Sequence, residues 1–173
     1  MKRNLIAIAI AVFTLIAARS ADARPRPHSG GQFEANKTFG LGLMIGEPTA
    51  ISGKYFLSRD TALDFGIGTY YQYRGDGLHI HGDFLWHPVV IAKTEAFWLP
   101  LYFGIGARFF DHRNDHVHIG PRVPIGISFD FQNVPLDIFL ELAFVFDVVI
   151  IDRPANDFRA DAGLALGIRY WFD

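Results

Sequence analysis

The 173-residue chain has no cysteine and only two methionines. Without a thiol there is no disulfide framework and no lipidated cysteine to anchor it. It also lacks an apolar run long enough for a membrane-crossing helix. The longest, residues 5–18, is interrupted by Thr14 and falls short of the roughly 20 residues that a bilayer requires. Charge of one sign is missing too: 16 basic residues against 18 acidic ones leave a formal net charge of −2. No basic stripe is present to hold nucleic acid. Past Lys37 no window carries the 3, 4, 7 spacing of an amphipathic helix. No internal repeat or second block of composition appears, so one domain is expected.

Lys2 and Arg3 precede the short apolar run, and Ala21 and Ala23 follow it. That is the pattern of a secretory signal peptide cleaved after Ala23. Residues 1–23 are therefore expected to leave the mature protein. Residues 24–36, with Pro25, Pro27, Gly30 and Gly31, read as a flexible periplasmic leader. Residues 37–173 are expected to form the folded domain.

From Lys37 onward the sequence breaks into eight runs of period two, at 39–45, 50–57, 61–71, 78–87, 97–110, 117–130, 136–148 and 162–172. Turn formers separate them, among them Glu47-Pro48 and Ser58-Arg59-Asp60. Period two places alternate side chains on opposite faces of a strand. One face carries Leu, Ile, Val and Phe almost without exception. The other carries glycine together with Lys54, Arg108, Arg122, Arg159 and Arg169, and with Asp64, Asp83, Asp130, Asp137, Glu141, Asp147 and Asp161.

A uniformly apolar face suits lipid, and lipid permits only a closed sheet, because an open edge leaves amides without partners. Eight strands enclose a space that side chains fill. The sequence therefore predicts an all-β fold: a closed eight-stranded antiparallel up-and-down transmembrane β-barrel. Its polar interior would be plugged by salt bridges, with Arg122–Asp130 and Arg108–Glu141 as candidate pairs. An even strand count puts both ends in the periplasm and the connections after the odd strands outside. Aromatics fall near the expected interfaces: Tyr70, Tyr71, Tyr73 and Phe109 towards the outer one, and Tyr55, Trp86, Trp98, Phe131, Tyr170 and Phe172 towards the periplasmic one. Pro121 and Pro124 each remove a ladder donor, so bulges are expected beside them.

The last run, ending in Gly167, Tyr170 and Phe172, looks like the closing strand by which bacterial outer-membrane barrels present themselves for insertion. Asp173 departs from that pattern. The segment GLGLMIGEPTAISGKYFLSRDTALDFGIG and the ending RYWF resemble small, mostly uncharacterised outer-membrane β-barrel proteins. The chain is broadly similar to eight-stranded barrels such as the OmpA transmembrane domain and OmpX. The resemblance implies an outer-membrane monomer in contact with membrane lipid and lipopolysaccharide, inserted by the barrel-assembly machinery, with a structural or surface-interaction role and no cofactor.

Histidine is the suggestive enrichment. On the inward face His79, His81 and His118 would come within metal-ligating reach if their strands lie one neighbour apart, about 10 Å. The opposing expectation is that these imidazoles pair with rim carboxylates such as Asp83 and Asp115. An outer-membrane lipid-modifying enzyme is an alternative class. However, the only strand serines, Ser52 and Ser128, point inward, and no histidine lies on the apolar face, so no enzyme is expected. A soluble exported barrel of lipocalin type would instead turn the apolar face inward around a ligand.

Overall fold

A computed structural model describes residues 33–70, 77–112, 116–150 and 157–172. They form β1 (Phe39–Gly46), β2 (Thr49–Phe56), β3 (Thr61–Thr69), β4 (Gly77–Lys93), β5 (Phe97–His112), β6 (His116–Phe131), β7 (Leu136–Ile150) and β8 (Asp157–Phe172). Each strand pairs antiparallel with its neighbour in sequence, and β1 pairs with β8 to close the barrel. All eight runs of period two are strands. At the closure Phe39 lies opposite Phe172, Leu41 opposite Tyr170 and Leu43 opposite Ile168. We call the end that holds Phe39 and Phe172 the terminal end, and the opposite one the loop end.

The alternation sorts side chains as the sequence predicts. Leu43, Ile105 and Leu164 are 60%, 56% and 56% exposed on the outside, whereas Lys54, Asp64 and Arg169 are each 1% exposed within. Inward glycines sit beneath rings of neighbouring strands. Trp171 covers Gly40, Tyr102 covers Gly126, Phe139 covers Gly167 and His81 covers Gly66. The occupants at these positions are Trp, Tyr, Phe and His, because a flat ring packs directly on a strand that has no Cβ. A Cβ at Gly167 would overlap the Phe139 ring and crowd the Leu43 carbonyl. Overpacking of this kind typically costs ~1–3 kcal/mol. Gly167→Val is therefore expected to lower the urea midpoint of the folded barrel by a corresponding amount.

Several expectations change. No bulge accompanies Pro121 or Pro124. The ladder to β7 lapses at Gly120 and Pro121, and that to β5 lapses at Val123 and Pro124; both resume in the same register. Each missing donor is absorbed by a short gap, so no residue needs inserting. Bulges occur instead in β4, between Trp86 and Val89 and between Val90 and Ala92. Pro88 lies in the first of these, and the strand runs on to Lys93. Tyr70, expected in an outer aromatic belt, is buried inside at 3% exposure. Trp98 shares the inward register of Asp130, and the Lys93 ammonium lies 3.7 Å from its ring centroid. Tyr71 and Tyr73 fall outside the described residues.

The β1–β2 connection is tight. Gly46 has φ of 119°, a left-handed conformation that disfavours any Cβ. The Glu47 N–H donates to the Leu164 carbonyl at 2.9 Å, so this turn leans on β8. Burial raises the Glu47 carboxyl above its usual range. Beyond this point Asp157–Leu164 of β8 continue past the end of β1.

Residues 33–38 precede β1 without regular structure and lie across the terminal end. The Ala35 N–H donates to the Arg59 carbonyl at 2.8 Å. Phe33, 4% exposed, packs on Phe56 and on His87, at 5.5 and 5.0 Å between centroids. Glu34 pairs with Arg59 at 3.6 Å.

Candidate functional site

The chemistry-bearing residues gather in the interior, where the strands place them in three tiers. Nearest the terminal end is Lys54 of β2, whose ammonium donates to His87 Nε2 at 2.7 Å. His87 Nδ1 lies 3.1 Å from the Asp60 carbonyl and must donate there, which fixes the tautomer that leaves Nε2 free to accept. The ammonium also lies 4.5 Å from the Tyr102 centroid and 5.3 Å from that of Phe56. A cation–π cage of this kind compensates part of the desolvation of a buried amine.

In the middle tier Arg122 of β6 bridges two carboxylates. Its Nη1 donates to Asp83 of β4, and its Nη2 donates to Glu141 of β7 at 2.5 Å. Tyr102 adds a hydroxyl to the second Glu141 oxygen at 3.0 Å. Beside it, Arg169 Nη1 stands 3.1 Å from Asp64 Oδ1, out of line for a hydrogen bond, so the two attract by charge alone. Arg169 Nε donates to Ser52 Oγ at 3.1 Å, and its guanidinium lies 3.8 Å from the Phe139 centroid. Guanidinium stacks on rings readily because it is planar and weakly hydrated.

Towards the loop end Arg108 of β5 holds Asp147 with Nε at 3.1 Å and with Nη2, and donates from Nη2 to Asp161 at 3.0 Å. Tyr70 donates to the same Asp161 oxygen at 3.1 Å. Arg159, expected inside, is exposed on the extended part of β8.

The pairs suggested by the sequence are not the ones that form. Arg122 meets Asp83 and Glu141 rather than Asp130, and Arg108 meets Asp147 and Asp161 rather than Glu141. Asp130 is taken by Lys37, outside the strands. Strand spacing alone misled here, because a long side chain in a narrow barrel reaches across it as easily as along a neighbouring strand.

The three histidines are not brought to one point. His79 Nε2 and His81 Nδ1 share a hydrogen bond at 2.9 Å, and His81 Nε2 lies 4.0 Å from Asp64 Oδ2. His118 instead places Nδ1 3.5 Å from Asp147 and its ring edge-on to Phe110. Among the described residues no group of three His, Cys, Asp or Glu side chains is arranged to hold a metal. Asp115 lies outside the described residues. Of the closing-strand residues, Gly167 faces inward under Phe139, and Tyr170 and Phe172 lie outside, edge-on at 4.9 Å.

Sequence reasoning missed Lys37, His87 and Tyr102 as members of the network. The signal for the last two was present, since both share the inward parity of the charges around them. Lys37 gave none, because it precedes the first periodic run. No protein-family model, curated protein or solved structure matches the chain.

Proposed function

We propose that the protein is an integral barrel of the bacterial outer membrane, with a structural or surface-interaction role and no wide pore. The observation that carries this reading is the outer surface. Exposed Leu, Ile, Val and Phe side chains encircle the barrel, from Leu41, Leu43 and Ile45 on β1 through Ile51, Ile67, Ile80, Phe103, Ile125 and Leu142 to Leu164, Leu166 and Ile168 on β8. Soluble monomers seldom expose a contiguous apolar patch beyond roughly 300–600 Å². An apolar girdle around a closed sheet is instead what hydrocarbon requires.

The aromatics support it further. Phe39 and Phe172 stack at 6.1 Å, and Trp86 lies 4.7 Å from Phe84 and 5.8 Å from Phe103 on the outside. Rings of this kind anchor a barrel at the level of the headgroups. On this reading the terminal end lies in the periplasm and the loop end outside, with lipid and lipopolysaccharide around the girdle. Insertion would use the barrel-assembly machinery, and the reading includes no catalytic step. The lipocalin-type alternative is disfavoured by the interior, which is lined by ion pairs where an apolar ligand would need an apolar wall.

Two measurements test the proposal. The refolded barrel is expected to migrate differently on a gel before and after boiling, and to stay with the membrane fraction until detergent is added. Recovery in the soluble periplasmic fraction without detergent would overturn it. In a planar bilayer the ion-paired interior is expected to give no stable conductance steps, and regular steps well above background would overturn the closed interior.

A further inference from the structure

We propose that the terminal end of the barrel contains a recognition site for a primary alkylammonium group, occupied in this chain by its own Lys37. The Lys37 ammonium makes an ion pair with Asp130 Oδ1 and donates to the Phe131 carbonyl at 2.8 Å. The Trp171 ring centroid lies 6.0 Å away. A carboxylate, a carbonyl and an indole face are groups that a compact –NH3+ with three donors can engage together. Gln132 Nε2 donates to the Asp130 carbonyl at 3.0 Å and stands 3.4 Å from Asp130 Oδ2, which steadies the carboxylate whichever cation it faces.

A second observation marks this as more than a surface ion pair. Lys37, Asp130 and Trp171 also border, with Lys54 and Asp137, a small cavity of about 10 Å³, the room of roughly one water. Two buried polar atoms on its lining residues, Asp137 Oδ1 and Trp171 Nε1, have no hydrogen-bond partner among the described residues. Asp137 thus adds to the chamber an acidic group that Lys37 does not use.

The segment bearing Lys37 is fastened independently. Its Ala35 N–H bond to the Arg59 carbonyl and the seat of Phe33 against Phe56 and His87 do not involve the ammonium. The cation can therefore be exchanged while the segment stays in place. The Lys37 and Asp130 side chains each keep 9% exposure, so the pair borders solvent. The ligand class is an unbranched primary alkylamine.

Chemical rescue tests this in the full chain. Lys37→Ala deletes the side chain beyond Cβ, a fragment the size of n-propylammonium. The variant is expected to lower the folding constant about 5- to 30-fold, the usual reading of a lost charged contact. Added n-propylammonium is expected to restore most of the urea midpoint with saturation, and methylammonium less. Lys37→Ala combined with Asp130→Asn is expected to show no response. Equal restoration by sodium ion, equal restoration in the double variant, or none at all would overturn the proposal. If Lys37→Ala does not refold unaided, recovery with n-propylammonium but not with choline supports the site, and failure with both overturns it.

Discussion

Replacing Arg122 with alanine is expected to cost the barrel about 3–5 kcal/mol, the range for stranding a buried charge. The reason lies in what the guanidinium holds. Asp83 and Glu141 come from strands on either side of it, both are buried at 3% exposure or less, and Arg122 bonds each of them. Without it two carboxylates remain in an interior with no solvent to screen them. Tyr102 still donates to Glu141, but one hydroxyl does not neutralise a charge. Arg122→Lys is expected to fall between wild type and alanine, because an ammonium cannot present the same planar fork to both acids. The combination Arg122→Met, Asp83→Asn, Glu141→Gln should recover most of the loss, since removing all three charges removes the desolvation problem along with the attraction. Unfolding midpoints in urea decide the matter. A midpoint for Arg122→Ala unchanged from wild type would show that the bridge carries no stability.

Leu142→Arg is the second large effect, and it reads the surroundings of the barrel rather than its interior. Leu142 lies near the middle of β7, opposite Ile125 and Leu164, with its side chain outward. In a bilayer an arginine at that depth costs roughly 2–4 kcal/mol, falling to about 0–1 near the interfaces. On a water-exposed surface the same change stays within about 0.5 kcal/mol. Phe158, 82% exposed on the extended part of β8, supplies the comparison: Phe158→Arg is expected to be nearly neutral in lipid vesicles. Equal effects at the two positions would count against a membrane girdle.

The strands and their sidedness were legible because both depend on local rules. Residues two apart share a face whatever the rest of the chain does, and short turns force neighbours in sequence to be neighbours in the sheet. Hence Leu41, Leu43 and Ile45 lie outside and Lys54, Asp64 and Arg169 inside, as the alternation requires. The prolines of β6 were misjudged because a missing donor can be met in two ways. Pro88 sits in a bulge, while Pro121 and Pro124 sit in a ladder that lapses and resumes. Tyr70 was misjudged because it lies at the end of β3, where a residue of inward parity lies close to both the interior and the expected interface.

By itself the sequence determined eight strands, their order and the two contrasting faces, since alternation and turn chemistry act over a few residues. Only the tertiary structure decided which acid meets which base: Arg122 with Asp83 and Glu141, Arg108 with Asp147 and Asp161, and Lys37 with Asp130. These partners come from different elements, and closure of the barrel together with the register of its strands brings them within reach. The same closure turned the end of a polar, unpatterned segment into part of the fold. Phe33 and Lys37 carry no periodic signal, and they acquire their places only once the barrel supplies an aromatic seat and a carboxylate to receive them.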